Sequence, residues 1–335
     1  MTHALARMTR TVLTARETAI VLAVLLVIVA TTVKNPLFVF SPDGTRDLLL
    51  APSLLVLLAI GQTVVLVTRN VDLSVGSVMG LSAYLTGRLF IDAPHLPTIA
   101  VMALGVLLGC LLGLVNGALV ALAKVPALVI TLGTLYAYRG FNVLWTGSDR
   151  INSSDMPHGF LELGTGRLLG VPYLALLAAV VLVVVAWFLS NARSGRQLYA
   201  IGSAPDAAEL YGLPTTRRVL TAFLLGGALA GLAGVLYAAR YGTVSSQAGS
   251  GYELEAIGAA VIGGVAIFGG SGTVWGAACG AVLLVTINRA LPVLGVQEFW
   301  QQAVVGALII GAIVLDRVLA TRQTRRLTVM GDDER

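Results

Sequence analysis

The sequence predicts an all-α, polytopic membrane protein with about ten transmembrane helices and both termini on the cytoplasmic side. Three observations carry this. Of its 335 residues 57% are hydrophobic and only 12% are charged, against about 45–50% and about 25% in soluble domains. Its mean hydropathy is +0.88. Its apolar residues also fall in repeated runs close to the ~20 residues that cross a bilayer as a helix. The composition excludes a disordered chain, a soluble enzyme core and a nucleic-acid-binding domain. The net charge of +5 reads as positive charge retained in cytoplasmic loops.

Taken in order, residues 1–17 form a cytoplasmic tail with Arg7, Arg10 and Arg16, followed by the apolar run Thr18–Val33. A signal peptide has a similar outline, but this leader is long and further spans follow, so the first helix is expected to be retained. Further apolar runs fall near 48–68, 72–91, 97–123, 126–145, 170–190, 219–240, 254–268, 273–291 and 297–316. The membrane-embedded body is therefore expected over 18–316, with a cytoplasmic tail over 317–335. Several runs nearly touch, at Arg69–Val71, Lys124–Val125 and Gly269–Gly272, which requires antiparallel neighbours. With the N-terminus inside, fourteen of the 22 Lys and Arg residues fall on the cytoplasmic side, and an even number of spans brings the basic C-terminal tail back there. Cys110 and Cys279 sit within apolar runs and read as small hydrophobes.

Four features could carry function. The longest cytoplasmic connection, 191–218, contains Ser203-Ala204-Pro205-Asp206, which reads as a helix start with Ser203 as cap and Pro205 in the first turn. Gly212 and Pro214 stop it. The resulting helix is too short to span and must lie at the membrane surface, either docking to a partner or closing a loop. Polar residues Gln62, Thr68, Arg69, Asn70, Asp72 and Ser74 interrupt apolar sequence between Gly61 and Gly76. Such a break either lines a pathway or makes a short turn. Gly105, Gly109, Gly113 and Gly117 recur every fourth residue, putting four glycines on one helix face for close packing. Asn116 beside them either packs or faces a pore. Glu253 and Glu255 precede a glycine-rich run and suit a helix N-terminus. Segments around Ala59-Ile60-Gly61 and Ala256-Ile257-Gly258 hint at an internal repeat.

Catalytic patterns are missing from the sequence. His3, His95 and His158 join no H-E-x-x-H metal motif, and neither a G-x-S-x-G elbow nor a phosphate-binding G-x-x-x-x-G-K-[ST] loop occurs. The chain is expected to be no enzyme and to need no metal or cofactor.

Arg69-Asn-Val-Asp-Leu-Ser-Val-Gly-Ser77, Gly195-Arg-Gln-Leu-Tyr-Ala-Ile-Gly202 with Ala207, Ala208 and Gly212, and Ile262-Gly-Gly-Val-Ala-Ile-Phe-Gly-Gly-Ser-Gly-Thr273 together resemble bacterial ABC-importer permeases of the ribose, rhamnose and autoinducer-2 group. The likeness runs in order from about 36 to 316. Pro126–Gly140 and Trp145-Thr146-Gly147 look closest to the autoinducer-2 and rhamnose members. This resemblance implies a multi-pass permease of the bacterial inner membrane. Its partners would be a second permease subunit (homo- or heterodimer), cytoplasmic ABC ATPase subunits, an extracytoplasmic solute-binding protein and the lipid bilayer, with no nucleic acid. It places the ATPase-coupling helix on Ser203–Leu213, with Asp206 and Glu209 meeting basic groups and Ala207, Ala208 and Leu210 filling the ATPase groove. Ser271 departs from the pattern, standing where members often carry Arg. A sugar-like solute needs hydrogen-bonding groups along its path, for which Gln62, Thr68, Asp72, Ser74, Asn116, Thr131, Thr134 and Asn142 are the candidates. Arg139 and Asp72 are also candidates for structural ion pairing. The alternatives are an ion-coupled secondary transporter, or an ABC permease for branched-chain amino acids or nucleosides. Asp72, Glu253 and Glu255 fall near the ends of apolar runs, which argues against coupling to an ion gradient.

Overall fold

A computed structural model describes residues 15–314, apart from 124, 148, 298, 299, 301, 305, 308, 309, 312 and 313. Of the tail expected over 1–17, residues 1–14 lie outside the described residues and 15–17 already belong to the first helix; the tail over 317–335 and Lys124 also lie outside, and the tenth apolar run is described only in part.

The chain is all-α and polytopic. Among the described residues, seven helical segments are long and apolar enough to cross a membrane. They are α1 (Ala15–Lys34); Gly44–Leu66, which joins α3 (Gly44–Leu50) to α4 (Ser53–Leu66) after the short α2 (Leu37–Phe40); α6 (Thr98–Ala123); α7 (Ala127–Thr146); α9 (Tyr173–Asn191); α12 (Thr215–Tyr241); and α14 (Val274–Val293). The shorter elements are α5 (Val75–Asp92), α8 (His158–Thr165), the hairpin β1 (Arg167–Leu168) and β2 (Val171–Pro172), α10 (Arg193–Ser203), α11 (Pro205–Leu210) and α13 (Tyr252–Ile262).

Burial sorts these helices into an inner and an outer set. All fourteen residues of α4 are buried, because its sequence is apolar on every side. Around it pack α12, α13, α14 and α9. By contrast, α1, α6, α7 and the rest of the surface of α9 leave most of their residues half-buried or exposed, as helices facing lipid or a partner do.

The glycine stripe of α6 meets α12. Gly109 and Gly113 lie against Gly227 and Gly231, Gly105 against Val235 and Thr86, and Gly117 against Phe223 and Leu220. A Cβ at Gly109 would stand 2.6 Å from the Gly231 Cα. The spacing therefore gives the close helix contact expected of it, and both partners of the contact are glycines.

Two of the apolar runs differ from plain spans. The run near 254–268 becomes α13, a helix of 11 residues and so about 16 Å long, roughly half the ~30 Å hydrocarbon thickness. The chain enters it by running down α5. Ile151 packs on Gly87 and bridges Val244, with backbone hydrogen bonds of 3.0 Å in both directions. The Ala248 carbonyl then rests on Gly80, and Gly249 and Glu253 on Gly76. From Gly87 to Gly76 the helix descends about 16 Å. Gly249 (φ +79) and Gly251 (φ +88) supply the left-handed residues that turn the segment into α13. The run near 48–68 likewise ends at Leu66 in the buried turn described below.

The connection 191–218, expected to hold one short helix, holds two. The sequence Arg193–Ser203 forms α10, whose Leu198 and Ile201 are buried. Ser203 is thus the last residue of α10 and does not cap the following helix. Ala204 takes that position, without a side-chain hydrogen bond, and Pro205 opens α11. The Ser203 hydroxyl instead donates to the Gly270 carbonyl at 3.4 Å.

The α6–α12 seam yields the first expectation. Gly109→Ala should destabilise the chain by about 1–3 kcal/mol through overpacking, whereas Gly133→Ala, where a Cβ meets nothing within 4 Å, should not. Thermal unfolding in detergent micelles reads the difference, and equal midpoints for the two variants would remove the seam from the fold's supports.

Candidate functional site

Between α4 and α5 the chain runs as irregular backbone over 67–74. In a membrane protein such backbone survives where the protein supplies its hydrogen bonds or water reaches it, and three helices contribute partners here. From α4, the Gln62 amide, in the orientation its neighbours require, donates to the Asp72 carbonyl and accepts from the Asp72 N–H, both at 3.2 Å. From α6, Asn116 donates to the Ser74 hydroxyl at 2.7 Å. From α7, Thr131 donates to the Val71 carbonyl at 3.1 Å, and the Tyr138 hydroxyl lies 3.2 Å from the Asn116 Oδ1, to which it donates. Asp72 Oδ1 closes the knot, accepting from the Ser74 N–H at 2.8 Å and the Ser74 hydroxyl at 2.7 Å. Thr68 donates to the Val65 carbonyl at 2.6 Å and accepts from Asn70 at 2.9 Å.

The structure therefore brings Gln62, Asp72, Ser74, Asn116 and Thr131 into one buried network, with Thr68 at its edge. Within a single chain these side chains are satisfied by protein. Thr134 stands apart, half-exposed on α7 and donating to the Thr131 carbonyl at 3.3 Å. Asn142 is also separate: it donates to the Ser246 carbonyl at 3.2 Å and so pins the descending segment before α13. Tyr138, which completes the knot, was not among the sequence candidates. Its position one helical turn beyond Thr134 on α7 was the available signal.

Arg139 and Asp72 are not paired with each other. Arg139 lies 3.8 Å from Glu253 and donates to Ser250, joining α7 to the start of α13.

A second layer lies against the knot. The Gly270 N–H donates to the Val67 carbonyl at 3.0 Å. Gly269 and Gly270, both left-handed, pack on Arg69 and Ser203, where a Cβ would not fit. Arg69 itself is left-handed (φ +66), a conformation costing a non-glycine residue about 1–2 kcal/mol. Gly202 of α10 packs directly on the Val67 carbonyl, and Tyr199 donates to the Gly272 carbonyl at 3.0 Å. Burial pushes the Tyr199 phenol up to about 12, so it stays a neutral donor at physiological pH. The end of α10 thus touches the turn 67–70 and the turn 263–273 together.

α11 follows directly. Asp206, Glu209, Leu210 and Tyr211 are exposed, Leu210 at 89% and Tyr211 at 88%. Ala208, expected to fill a partner's groove, is buried against this chain, while Ala207 is half-buried. The spacing of small residues marked the inward face of α11, and the protruding apolar pair lies one turn away. Beside α11 a cleft of about 560 Å³ is lined by Thr68, Arg69, Asn70, Pro126, Asp206 and Glu209, among others.

Comparisons with known proteins find one matching family model and a set of related sequences. The family model described as "Branched-chain amino acid transport system / permease component" matches residues 45–313. The autoinducer 2 import system permease protein LsrC of Shigella flexneri is 39% identical over 274 residues, covering 82% of this chain and 79% of the relative. Its counterpart in Escherichia coli (strain K12 / DH10B) shows the same identity and coverage. That of Salmonella typhi is 39% identical, over 82% of this chain and 78% of its own. No solved structure matches the chain.

The knot makes a stability prediction. Asp72→Leu leaves the Ser74 N–H and hydroxyl proton without their acceptor in the interior and should cost about 2–4 kcal/mol. Asp72→Asn keeps an acceptor oxygen and should cost clearly less. Thermal unfolding of the two purified variants gives the order, and a stable Asp72→Leu protein would contradict it.

Proposed function

The chain belongs to the family of permease components that its sequence matches from residue 45 to 313, and from that premise we propose the solute, the partners and the working parts of this one. It is a transport component rather than an enzyme, a multi-pass protein of the bacterial inner membrane. Its cargo is a sugar-like solute of the autoinducer-2, rhamnose or ribose type. Support for this choice over a branched-chain amino acid comes from relatives at 39% identity over most of the chain that are autoinducer 2 import permeases.

In this reading the chain has ten membrane-crossing segments: the seven long helical segments, α5, the descending segment 242–251 taken together with α13, and the last apolar run. Both termini are cytoplasmic. Two permease subunits, alike or different, enclose the pathway, separate ABC ATPase subunits energise it, and an extracytoplasmic binding protein delivers the solute. α7 supplies the wall toward the second subunit. Gly133 and Gly140 have open space at their Cα atoms, and Tyr136 (69%) and Leu144 (84%) are exposed. Thr134 is the sequence candidate best placed to meet solute there, because it is half-exposed on α7 while the other candidates are buried.

The observation that carries the coupling assignment is α11 itself. It presents Leu210 and Tyr211 outward beside Asp206 and Glu209, while α10 behind it touches the knot turn through Gly202. A docked ATPase that displaces α11 therefore acts on the segment 67–74 through direct contact. The carboxylates speak against ion coupling. Asp72 is engaged by Ser74, and Glu253 faces Arg139.

Uptake of autoinducer 2 into vesicles holding the full importer tests the assignment. Transport should stop on ATP depletion and persist when an ionophore collapses the ion gradients; the opposite pattern overturns it. The double change Leu210→Asp and Tyr211→Asp should lower uptake at least tenfold and abolish co-purification of the ATPase, with the amount of permease in the membrane unchanged.

A further inference from the structure

On the side of the molecule away from α11, the ends of five helices enclose a second cavity, of about 360 Å³, within the single chain. Asp47 comes from α3, Arg240 and Tyr241 from the end of α12, Tyr252 and Glu255 from the first turn of the half-helix α13, and Asn288 and Arg289 from α14. Leu55 and Val285 complete the wall. This volume is at the small end of ligand pockets, which run from about 300 to 1,000 Å³, and far exceeds the ~30 Å³ share of one water.

The lining is unusual for apolar surroundings. Arg240 is used structurally, donating to the Leu50 and Ala51 carbonyls at 3.2 and 3.1 Å. Arg289 spends one nitrogen on Asp47 at 3.3 Å, while its Nη1 is buried without a hydrogen-bond partner among the described residues. The neighbouring Asn288 Oδ1 is buried and unpartnered in the same way. An unmet donor beside an unmet acceptor is costly in a low-dielectric interior. The two guanidinium groups are balanced by two carboxylates, so the cavity has no net charge to attract an ion. Two tyrosine rings stand at its wall. Donor, acceptor, charge balance and ring faces together match a neutral polyhydroxylated molecule, whose hydroxyls both give and accept hydrogen bonds and whose C–H face packs on aromatic rings.

We propose that this cavity is a solute-binding station within each permease subunit, taking a neutral polyol with Asn288 and Arg289 Nη1 as its polar contacts and Tyr252 as its ring contact, the Tyr241 ring being occupied by Arg240 at 5.0 Å and Tyr237 at 4.5 Å. It is separate from the knot and from the exposed wall of α7. The ligand class rests on the sugar-importer reading; the existence of the site does not depend on ATP coupling.

The test uses the solubilised full-length permease without its partners. Autoinducer 2, D-ribose, L-rhamnose and D-ribose 5-phosphate are titrated separately while thermal unfolding is followed, since a ligand that binds the folded chain raises its midpoint. At least one neutral polyol should raise the midpoint saturably, and the phosphate should not. Asn288→Leu should weaken that binding at least tenfold. Val285→Phe, which fills the cavity with an apolar ring and removes no polar group, should do the same, so a folding defect in one variant leaves the other informative. The proposal is overturned if no polyol binds, if the phosphate binds as well as the polyols, or if a folded Asn288→Leu or Val285→Phe protein binds as the wild type does. ATP-dependent uptake together with no binding to the isolated permease would remove the station and leave the importer reading standing; binding together with ion-driven uptake would do the reverse.

Discussion

The fold depends on one constraint: inside a bilayer, every backbone N–H and C=O must find its partner in the protein. Among the described residues the helices break three times beside the core, over 67–74, over 242–251 and over 263–273, and each break packs on other elements. The first is held by Gln62, Asn116, Thr131 and the Asp72–Ser74 closure. The second lies along the glycines of α5 and is pinned by Asn142 and the Ile151–Val244 bridge. The third hydrogen-bonds to the first through Gly270 and Val67 and carries the N-cap Thr273, which also donates to Glu17 of α1 at 2.7 Å. Buried α4 sits among them. Its complete burial follows, because the irregular segments need protein on all sides and α4 is the helix around which that protein is arranged.

Glycine makes this enclosure possible. Carbonyls of one segment rest on the Cα of another at Gly76, Gly80, Gly109, Gly113, Gly202 and Gly263. Apolar side chains gain little by meeting one another in lipid, so close backbone contact and hydrogen bonding supply the association. A chain with 38 glycines in 335 residues is built for that kind of contact.

This explains what could be read from the sequence and what could not. The apolar runs were legible because membrane spans declare themselves by composition alone. The polar interruption at Gln62–Ser74 was legible as a break, but its choice between pathway and turn was not. Asn116 and Tyr138 lie 42 and 64 positions beyond Ser74, and no local pattern pairs them with it. α10 was missed because Arg193–Ser203 has too few apolar residues to stand out; only Leu198 and Ile201 mark its inner face. Ser203 fitted a capping pattern, yet that pattern sees only four residues, and the preceding helix already included it. The run 254–268 read as a span because Gly-rich apolar sequence has the same hydropathy whether the helix continues or stops. The left-handed Gly264 is where it stops.

The same geometry bears on how force could cross the molecule. Interfaces built on close backbone contact have little room to deform, so a displacement at one element is passed on or the contact breaks. α11 joins α10 at Ala204, and α10 ends with Gly202 on the Val67 carbonyl and Ser203 on Gly270. Movement of α11 therefore reaches both turns at once. From there it reaches α5 through Asp72 and Ser74, and α14 through Thr273. Arg69, held in a left-handed conformation at the centre of this contact, is the one non-glycine residue in the turn 67–74 placed at positive φ. It is the point where rearranging the turn would release strain. A chain with so few charges in its helices has little means of drawing on an ion gradient. It does have a short, direct mechanical route from its surface helix to its buried core.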